Sequence, residues 1–218
     1  MAYQTALTIE SVIKDIDSKK YLLPSIQREF VWSTGQIEKL FDSLMRDYPI
    51  NAFLFWKVPR EKVSEFKFYE FLRDYHQKDN KHNPKANTNG TEDIIAILDG
   101  QQRMTSLYIA LKGTYAYKMS YKRWDNPAAY PKRKLYLNLL AASDDADMFY
   151  DFLFLTEEEA KNIKNDNDEY EGSFWFPVGK ILDFREESDV NDYLIDNDLN
   201  TVADKAQAKF ANKALFKL

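Results

Sequence analysis

The sequence predicts an α+β fold in which helices pack on a mixed sheet. Apolar residues at helical spacing alternate with short apolar runs of strand length along most of the chain. With 218 residues, 44% of them hydrophobic, the chain is long enough to bury a substantial core. It has no cysteine, so disulfides, thiolate chemistry and cysteine-ligated zinc are excluded. The core alone must therefore stabilise the fold.

The chain divides into a domain at residues 1–140 and an extension at residues 141–218 that is mixed at first and then helical. A polar insert near residues 73–92 interrupts the first domain. Because its centre, residues 76–91, has almost no apolar side chain to bury, we expect it to be disordered. The last helical pattern is still running at Leu218 without a stop signal, which indicates truncation from a longer protein.

The first third of the chain predicts a helix, an extended segment, a helix and a strand. Apolar residues at helical spacing run from Ile9 to Ile16, and Pro24 then favours extended chain. Ser33 and Gln36 form a capping-box signature at the start of the next helix. The run "NAFLFWKV", residues 51–58, predicts a strand buried on both faces.

Later segments continue the mixture of strands and helices. Residues 66–72 fit a strand or a helix, "DIIAIL" predicts a buried strand, and residues 101–112 predict a helix that Gly113 ends. Residues 134–140 predict another strand, and two further short apolar segments follow. Two helices complete the chain.

Charge and hydropathy restrict where the protein works and what it binds. No apolar run approaches the length of a membrane span, and the N-terminus does not resemble a leader peptide, so we expect a cytoplasmic protein without membrane contact. The net charge of −5 opposes DNA binding by the surface as a whole. A local, tyrosine-interleaved basic stretch could still contact phosphates, although a solvated loop is the favoured interpretation: Lys118, Lys122, Arg123, Lys132, Arg133 and Lys134.

Common nucleotide and hydrolase motifs are missing from the sequence. The six glycines are placed so that neither a Walker nor a Rossmann phosphate loop can be written. The two histidines, His76 and His82, lie in the polar insert, so a zinc-hydrolase or HNH centre is not expected in these residues.

The motif "DGQQR", residues 99–103, stands between a predicted strand and a predicted helix. One interpretation is helix capping, with Asp99 as the N-cap, Gln102 as its capping-box partner and Arg103 paired to Asp99 four residues away. The other is ligand binding. Arg103 lies at the positive end of the helix dipole, where a cation calls for an anion, and Gly100 leaves room for a phosphate at the helix start. From the residues alone both interpretations stay open.

Two motifs together resemble the paired signature of the GmrSD-type restriction protein N-terminal domain family, which is related to the ParB and sulfiredoxin-like fold. The first is "LPSIQREFVW", residues 23–32, and the second is "DGQQRMTSL", residues 99–107. The resemblance implies a ParB/sulfiredoxin-like mixed sheet with packed helices, followed by the partly helical extension.

The resemblance also implies a function and the residues that carry it. It points to a nucleotide-binding, NTP-hydrolysing module of a prokaryotic anti-phage restriction protein, with a separate HNH nuclease domain or subunit and DNA contacted through the full-length protein. Asp99 would position Mg²⁺ or the attacking water and act with Arg103 in catalysis. The nucleotide would be held by Gln27, Arg28, Gly100, Gln101, Gln102 and Arg103.

Two other functions compete with NTP hydrolysis. The first is a nucleotide-gated switch that holds the nucleotide without appreciable turnover and controls association with DNA or a partner. The second is sequence-specific DNA binding by this chain alone, which its acidic balance disfavours.

Overall fold

A computed structural model of the chain describes residues 6–26, 29–88, 93–162, 173–202 and 204–218. It has the expected α+β composition, with several helices and two mixed sheets. The helices are α1 Ile9–Asp17, α2 Thr34–Met45, α3 Gln101–Lys112, α4 Glu157–Asn162, α5 Glu187–Asp196 and α6 Lys205–Lys217. The strands are β1 Tyr21–Pro24, β2 Leu54–Val58, β3 Phe68–Tyr69, β4 Asp74–His76, β5 Ile94–Asp99, β6 Thr114–Ala116, β7 Lys132–Ala142, β8 Tyr150–Leu155 and β9 Trp175–Pro177.

The first sheet has the strand order β2-β5-β1-β3. Strand β5 pairs parallel with β1, whereas β2 pairs antiparallel with β5 and β3 pairs antiparallel with β1. The strand predicted to be buried on both faces is instead the edge strand β2, where Leu54 and Phe55 remain 41% and 37% exposed. That prediction was wrong because an apolar run does not show whether other elements will cover both faces of the strand.

The second sheet is built around the long strand β7. Strand β6 and strand β9 pair with different parts of β7, β8 pairs with it antiparallel, and β4 joins β6 in parallel. The family resemblance implied one mixed sheet, whereas the structure has two; sequence patterns show where strands lie but not how strands are shared between sheets. Strand β7 continues past residue 140, and its partners β8 and β9 both come from residues after 140.

The polar insert contributes to both sheets. Asp74–His76 forms β4, the Ala86 amide donates to the Phe68 carbonyl at 2.9 Å, and the Glu70 amide donates to the Pro84 carbonyl at 2.8 Å. The predicted disorder is therefore not found at residues 76–88, where backbone hydrogen bonds compensate for the missing apolar contacts. Residues 89–91 of that prediction lie outside the described residues.

Helix α3 lies in the main hydrophobic core together with α1, α2 and β7. Every residue from Gln101 to Leu111 except Arg103 is buried. The helix ends at Gly113 as predicted, and the structure adds a reason: a Cβ on Gly113 would lie 1.8 Å from the Arg73 carbonyl oxygen. No helix in the described part of the chain combines the length and hydropathy needed to cross a membrane.

Candidate functional site

The DGQQR motif forms the junction between β5 and α3. Asp99 is the last residue of β5, Gly100 is the N-cap, and Gln101 begins α3. Gly100 has φ 87° and ψ 9°, a left-handed conformation that glycine adopts without strain. The chain therefore reverses from strand to helix at one residue.

The capping interpretation of the motif is wrong in its details. Asp99 belongs to the strand, and the N-cap of α3 is Gly100, which has no side chain to cap with. The predicted pair of Asp99 with Arg103 is present, at 3.8 Å between Oδ2 and Nη2, and the side chain of Asp99 is 74% exposed. Asp99 thus presents an exposed carboxylate beside the start of α3.

Gly100 is required by its surroundings as well as by its backbone angles. A Cβ at this position would lie 2.3 Å from Cδ1 of Phe53 and 3.2 Å from Nη2 of Arg103. The Phe53 ring therefore lies against the junction, in the space that Gly100 was expected to leave for a phosphate.

Gln102 connects the two sequence motifs. It is 8% exposed; its Oε1 accepts from the Val31 amide at 3.0 Å, and its Nε2 donates to the Glu29 carbonyl at 2.8 Å. Both contacts fall in the segment "REFVW" of the upstream motif, about seventy residues earlier in the sequence. The two motifs thus form one site in space.

Arg103 is anchored to the segment that leads into β2. Its Nη1 donates to the Ile50 carbonyl, and its Nη2 donates to the Ala52 carbonyl at 3.0 Å. Its guanidinium carbon lies 4.7 Å from the centre of the Phe53 ring. The side chain is 15% exposed, and these contacts stabilise a cation at the positive end of α3 without an added anion. Sequence reasoning missed Ile50, Ala52 and Phe53 because two of them act through backbone carbonyls, which leave no sequence signal.

The remaining predicted residues are placed as follows. Gln101 is 7% exposed and starts α3. Gln27 and Arg28 lie outside the described residues, but the segment that directly follows them is the one held by Gln102. The two motifs therefore meet at Gln102, and the geometry of the site is given for the residues from Glu29 onward.

A metal ion at this site would have few protein ligands. Asp99 is the carboxylate of the junction, and the described residues contain no group of three or more histidine or acidic side chains that could hold a metal. A single carboxylate suits Mg²⁺, which usually keeps several waters and binds through one or two carboxylates together with substrate phosphates. The residues present therefore fit magnesium delivered with a nucleotide better than a resident structural ion.

Comparison with known proteins gives one family and one relative. The family described as "GmrSD restriction endonuclease, N-terminal domain" matches residues 9–215, nearly the whole chain. The "Uncharacterized protein MJ0686" of Methanocaldococcus jannaschii is 33% identical over 100 residues, which are 46% of this chain and 16% of the relative. The chain thus matches only a small part of that longer protein.

Proposed function

The chain belongs to the GmrSD restriction endonuclease N-terminal domain family, and from this premise we propose that it binds a nucleoside triphosphate with Mg²⁺ and hydrolyses it at the β5–α3 junction. Family membership makes it part of a restriction and defence protein family. The proposal adds the ligand, the reaction and the place. It also includes the finer fold relation, a ParB/sulfiredoxin-like core formed around the first sheet.

The observation that carries the proposal is a pair of hydrogen bonds: the Val31 amide donates to Gln102, and Gln102 donates to the Glu29 carbonyl. They hold Glu29 and Val31 of the upstream motif beside the first turn of α3. Helix α3 has 12 residues and a glycine as its N-cap, and its dipole favours an anion at that end. A triphosphate would supply the anion that the helix N-terminus favours.

The proposal gives each residue a role that matches its contacts. Exposed Asp99 would hold Mg²⁺ or orient the attacking water. Gly100, Gln101 and the backbone N–H groups of the first turn would hold phosphate oxygens. The Arg103 guanidinium has five N–H hydrogens and donates to two backbone carbonyls. Its remaining hydrogens would be donated to phosphate oxygens. Gln102 would position Gln27 and Arg28, which would approach the phosphates from the neighbouring segment.

A nucleotide-gated switch without turnover is the second candidate. It is favoured by the anchoring of Gln102 and Arg103 to the 29–31 and 50–52 segments. A ligand that moved either side chain would displace those segments as well, and so could control contacts with DNA or with a nuclease domain or subunit of the full-length protein. Sustained phosphate release in the steady state excludes a pure switch.

The test compares Asp99→Asn with a control, Asp192→Asn, which neutralises an exposed carboxylate on α5. Calorimetric titration with magnesium nucleotide measures binding, and steady-state phosphate release measures turnover. If Asp99 holds the metal or water, its variant loses a charged interaction of about 1.5–3 kcal/mol, and turnover falls by about ten- to a hundredfold. The control should retain wild-type turnover. Equal turnover in both variants and in the wild type would contradict the role of Asp99.

A further inference from the structure

A second candidate site lies on one face of β7, far in sequence from DGQQR. It is a cavity of about 550 Å³, within the size range of small-ligand sites. We call it the β7 cavity and define it by the side chains on which the argument depends: Lys132, Lys134, Tyr136, Glu157, Lys161 and Trp175.

The strand pattern explains why these side chains meet. Alternate residues of a strand point to the same face, which places Lys132, Lys134 and Tyr136 together. The register pairs Tyr136 with Pro177 and places Trp175 opposite Asn138, so β9 extends the same face. The opposite face of β7 carries Leu135 and Leu137, which are 0% exposed in the main core. One side of β7 is thus core, and the other is a basic, aromatic cavity.

The charges of the β7 cavity favour an anion. Lys161 pairs with Glu157 at 2.5 Å. Lys132 and Lys134 are exposed, and neither forms an ion pair with a carboxylate in the part of the chain that the structure describes. The cavity therefore has two lysine ammonium groups available in a protein whose net charge is −5.

Trp175 provides a second, independent indication of a ligand. The side chain lines the cavity and is 6% exposed, and its indole N–H is buried with no hydrogen-bond partner among the described residues. Buried donors are nearly always paired in folded proteins, because an unpaired one loses its bond to water without replacement. A polar ligand atom in the cavity would supply the missing acceptor.

The basic and aromatic surface continues beyond the cavity into the loop that precedes β7. Residues 117–134 contain six basic residues and one acidic residue. Within the loop, Tyr121 is fully exposed and Trp124 is 56% exposed, next to the exposed cations Lys122 and Arg123. Hydrogen bonds hold the loop in place, among them Met119 N–H to the Ala129 carbonyl at 2.7 Å and Tyr130 O–H to the Trp124 carbonyl at 3.1 Å. Exposed aromatic rings are therefore presented on an ordered loop at the end of β7.

We propose that this loop and the β7 cavity together bind a single strand of nucleic acid. The exposed rings of Tyr121 and Trp124 stack with unpaired bases, while Lys132 and Lys134 contact phosphates at the cavity. The indole N–H of Trp175 donates to a polar atom of the nucleotide that enters the cavity. This inference rests on the cavity and the loop and not on the nucleotide site proposed at DGQQR.

A single strand fits these features better than a duplex. Bases in a duplex are already stacked and cannot cover exposed aromatic rings, whereas single-strand sites combine a basic groove with aromatic side chains. The loop leads directly into Lys132 and Lys134 of the cavity, and this arrangement fits a polymer better than a free nucleotide, which would occupy the cavity and leave the loop uncovered.

The experiment measures fluorescence anisotropy of a labelled oligothymidylate of about 12 nucleotides, within the usual range of single-strand sites. Lys132→Ala/Lys134→Ala is compared with Lys62→Ala/Lys205→Ala, which removes the same charge from exposed positions outside the cavity. The cavity variant should bind at least about tenfold more weakly, and the slope of log affinity against log salt should fall by about 1.4, the value for two phosphate contacts. Equal losses in both variants would mean that only net charge matters and would overturn the proposal.

Single substitutions separate the parts of the proposed surface. Trp175→Phe keeps a ring but removes the N–H, so affinity should fall by about two- to tenfold while the melting temperature of the free protein does not drop. Trp124→Ala should lower affinity by about fivefold or more through lost stacking. Wild-type affinity in both variants would overturn the proposal.

Two further binding measurements, one with a duplex and one with a competing mononucleotide, identify the ligand. An equally long duplex should bind more weakly than the single strand, and thymidine monophosphate should compete poorly. Tighter duplex binding, or efficient competition by the mononucleotide, would overturn the single-strand assignment. Asp99→Asn should leave strand binding unchanged, so that failure of the proposed nucleotide site and failure of this one can be told apart.

Discussion

Individual residues of the DGQQR motif make structural contacts that the sequence does not predict. The motif predicted a strand-to-helix junction, and the structure has one at Gly100. It did not predict the positions of the Gln102 and Arg103 side chains, whose hydrogen-bond partners are backbone groups at residues 29, 31, 50 and 52. Such partners are set by how the chain folds back on itself and not by neighbouring residue types.

Arg103→Ala is therefore expected to lower stability even without a ligand. The substitution leaves two carbonyls without their donor and removes the contact with Phe53, so we expect a loss of about 1–3 kcal/mol in the free energy of unfolding. An exposed i, i+4 pair with Asp99 would contribute only about 0.3–0.5 kcal/mol. Urea unfolding of the free protein measures the difference.

The control for this prediction is Asp99→Ala, which removes the ion pair and keeps the anchors. A loss of stability equal in both variants would contradict the anchoring role of Arg103. The outcome also affects the design of nucleotide assays, because a destabilised Arg103→Ala protein must be tested well below its melting temperature.

At the scale of elements, α2 covers the free edge of β8 with two acidic side chains. Asp42 is 2% exposed, and its Oδ1 accepts from the amides of Phe149 and Tyr150 at 2.9 and 2.8 Å. Four residues earlier, Glu38 accepts from the Phe154 amide at 3.1 Å. These bonds pair amides that would otherwise lie at an open sheet edge.

The sequence predicted α2 itself but not this contact. Its apolar stripe and its capping box were both identified, and the structure contains the Ser33–Gln36 box. Asp42 lies among the buried residues of the stripe although hydropathy assigns aspartate to the surface. Arg46, four residues later, pairs with its Oδ2 at 3.1 Å, but the two amides that its Oδ1 accepts from lie more than a hundred residues away, and no local pattern indicates them.

Glu38 should make stability depend on pH. Burial, with Asp151 nearby, raises the pKa of the Glu38 carboxyl to about 7 from the ordinary value of 4.5. A carboxyl whose pKa is raised in the folded state favours folding when protonated. Its contribution is fully present below pH 4.5 and is lost as the pH rises through 7. The loss is on the order of 3 kcal/mol, at about 1.36 kcal/mol per pKa unit.

Glu38→Gln tests this effect, because the amide oxygen can still accept from Phe154 while no charge develops. Chemical unfolding at pH 5 and pH 8 should show a smaller loss of stability on raising the pH in the variant than in the wild type. Glu10→Gln is a matched control, since Glu10 is an exposed carboxylate on α1. An identical pH dependence in wild type and Glu38→Gln would rule out the titration of Glu38 in this range.

At the scale of the whole molecule, β7 connects the two parts into which the sequence was divided. The predicted boundary at residue 140 falls inside this strand, which runs to Ala142. Beyond the boundary, β8 and β9 pair with β7, and α6 packs against it. The division was drawn where the resemblance to the family motifs ended, whereas the family match extends over residues 9–215, and the motifs give no information on strand pairing beyond residue 140.

Truncation after residue 140 tests whether the first part folds alone. Leu135, Leu137 and Leu139 are each 0% exposed, and removal of β8, β9 and α6 would expose these side chains to water. At about 1.5–3 kcal/mol for each large apolar side chain, this exposure removes a large share of the 5–15 kcal/mol that typically stabilises a domain. We therefore expect fragment 1–140 to lack a cooperative thermal transition by circular dichroism, and the full chain to show one. Adding fragment 141–218 should restore the transition if the missing strands and helix are what the first part lacks. A cooperative melt and a native near-ultraviolet spectrum for fragment 1–140 alone would instead show that the first part folds without β8, β9 and α6.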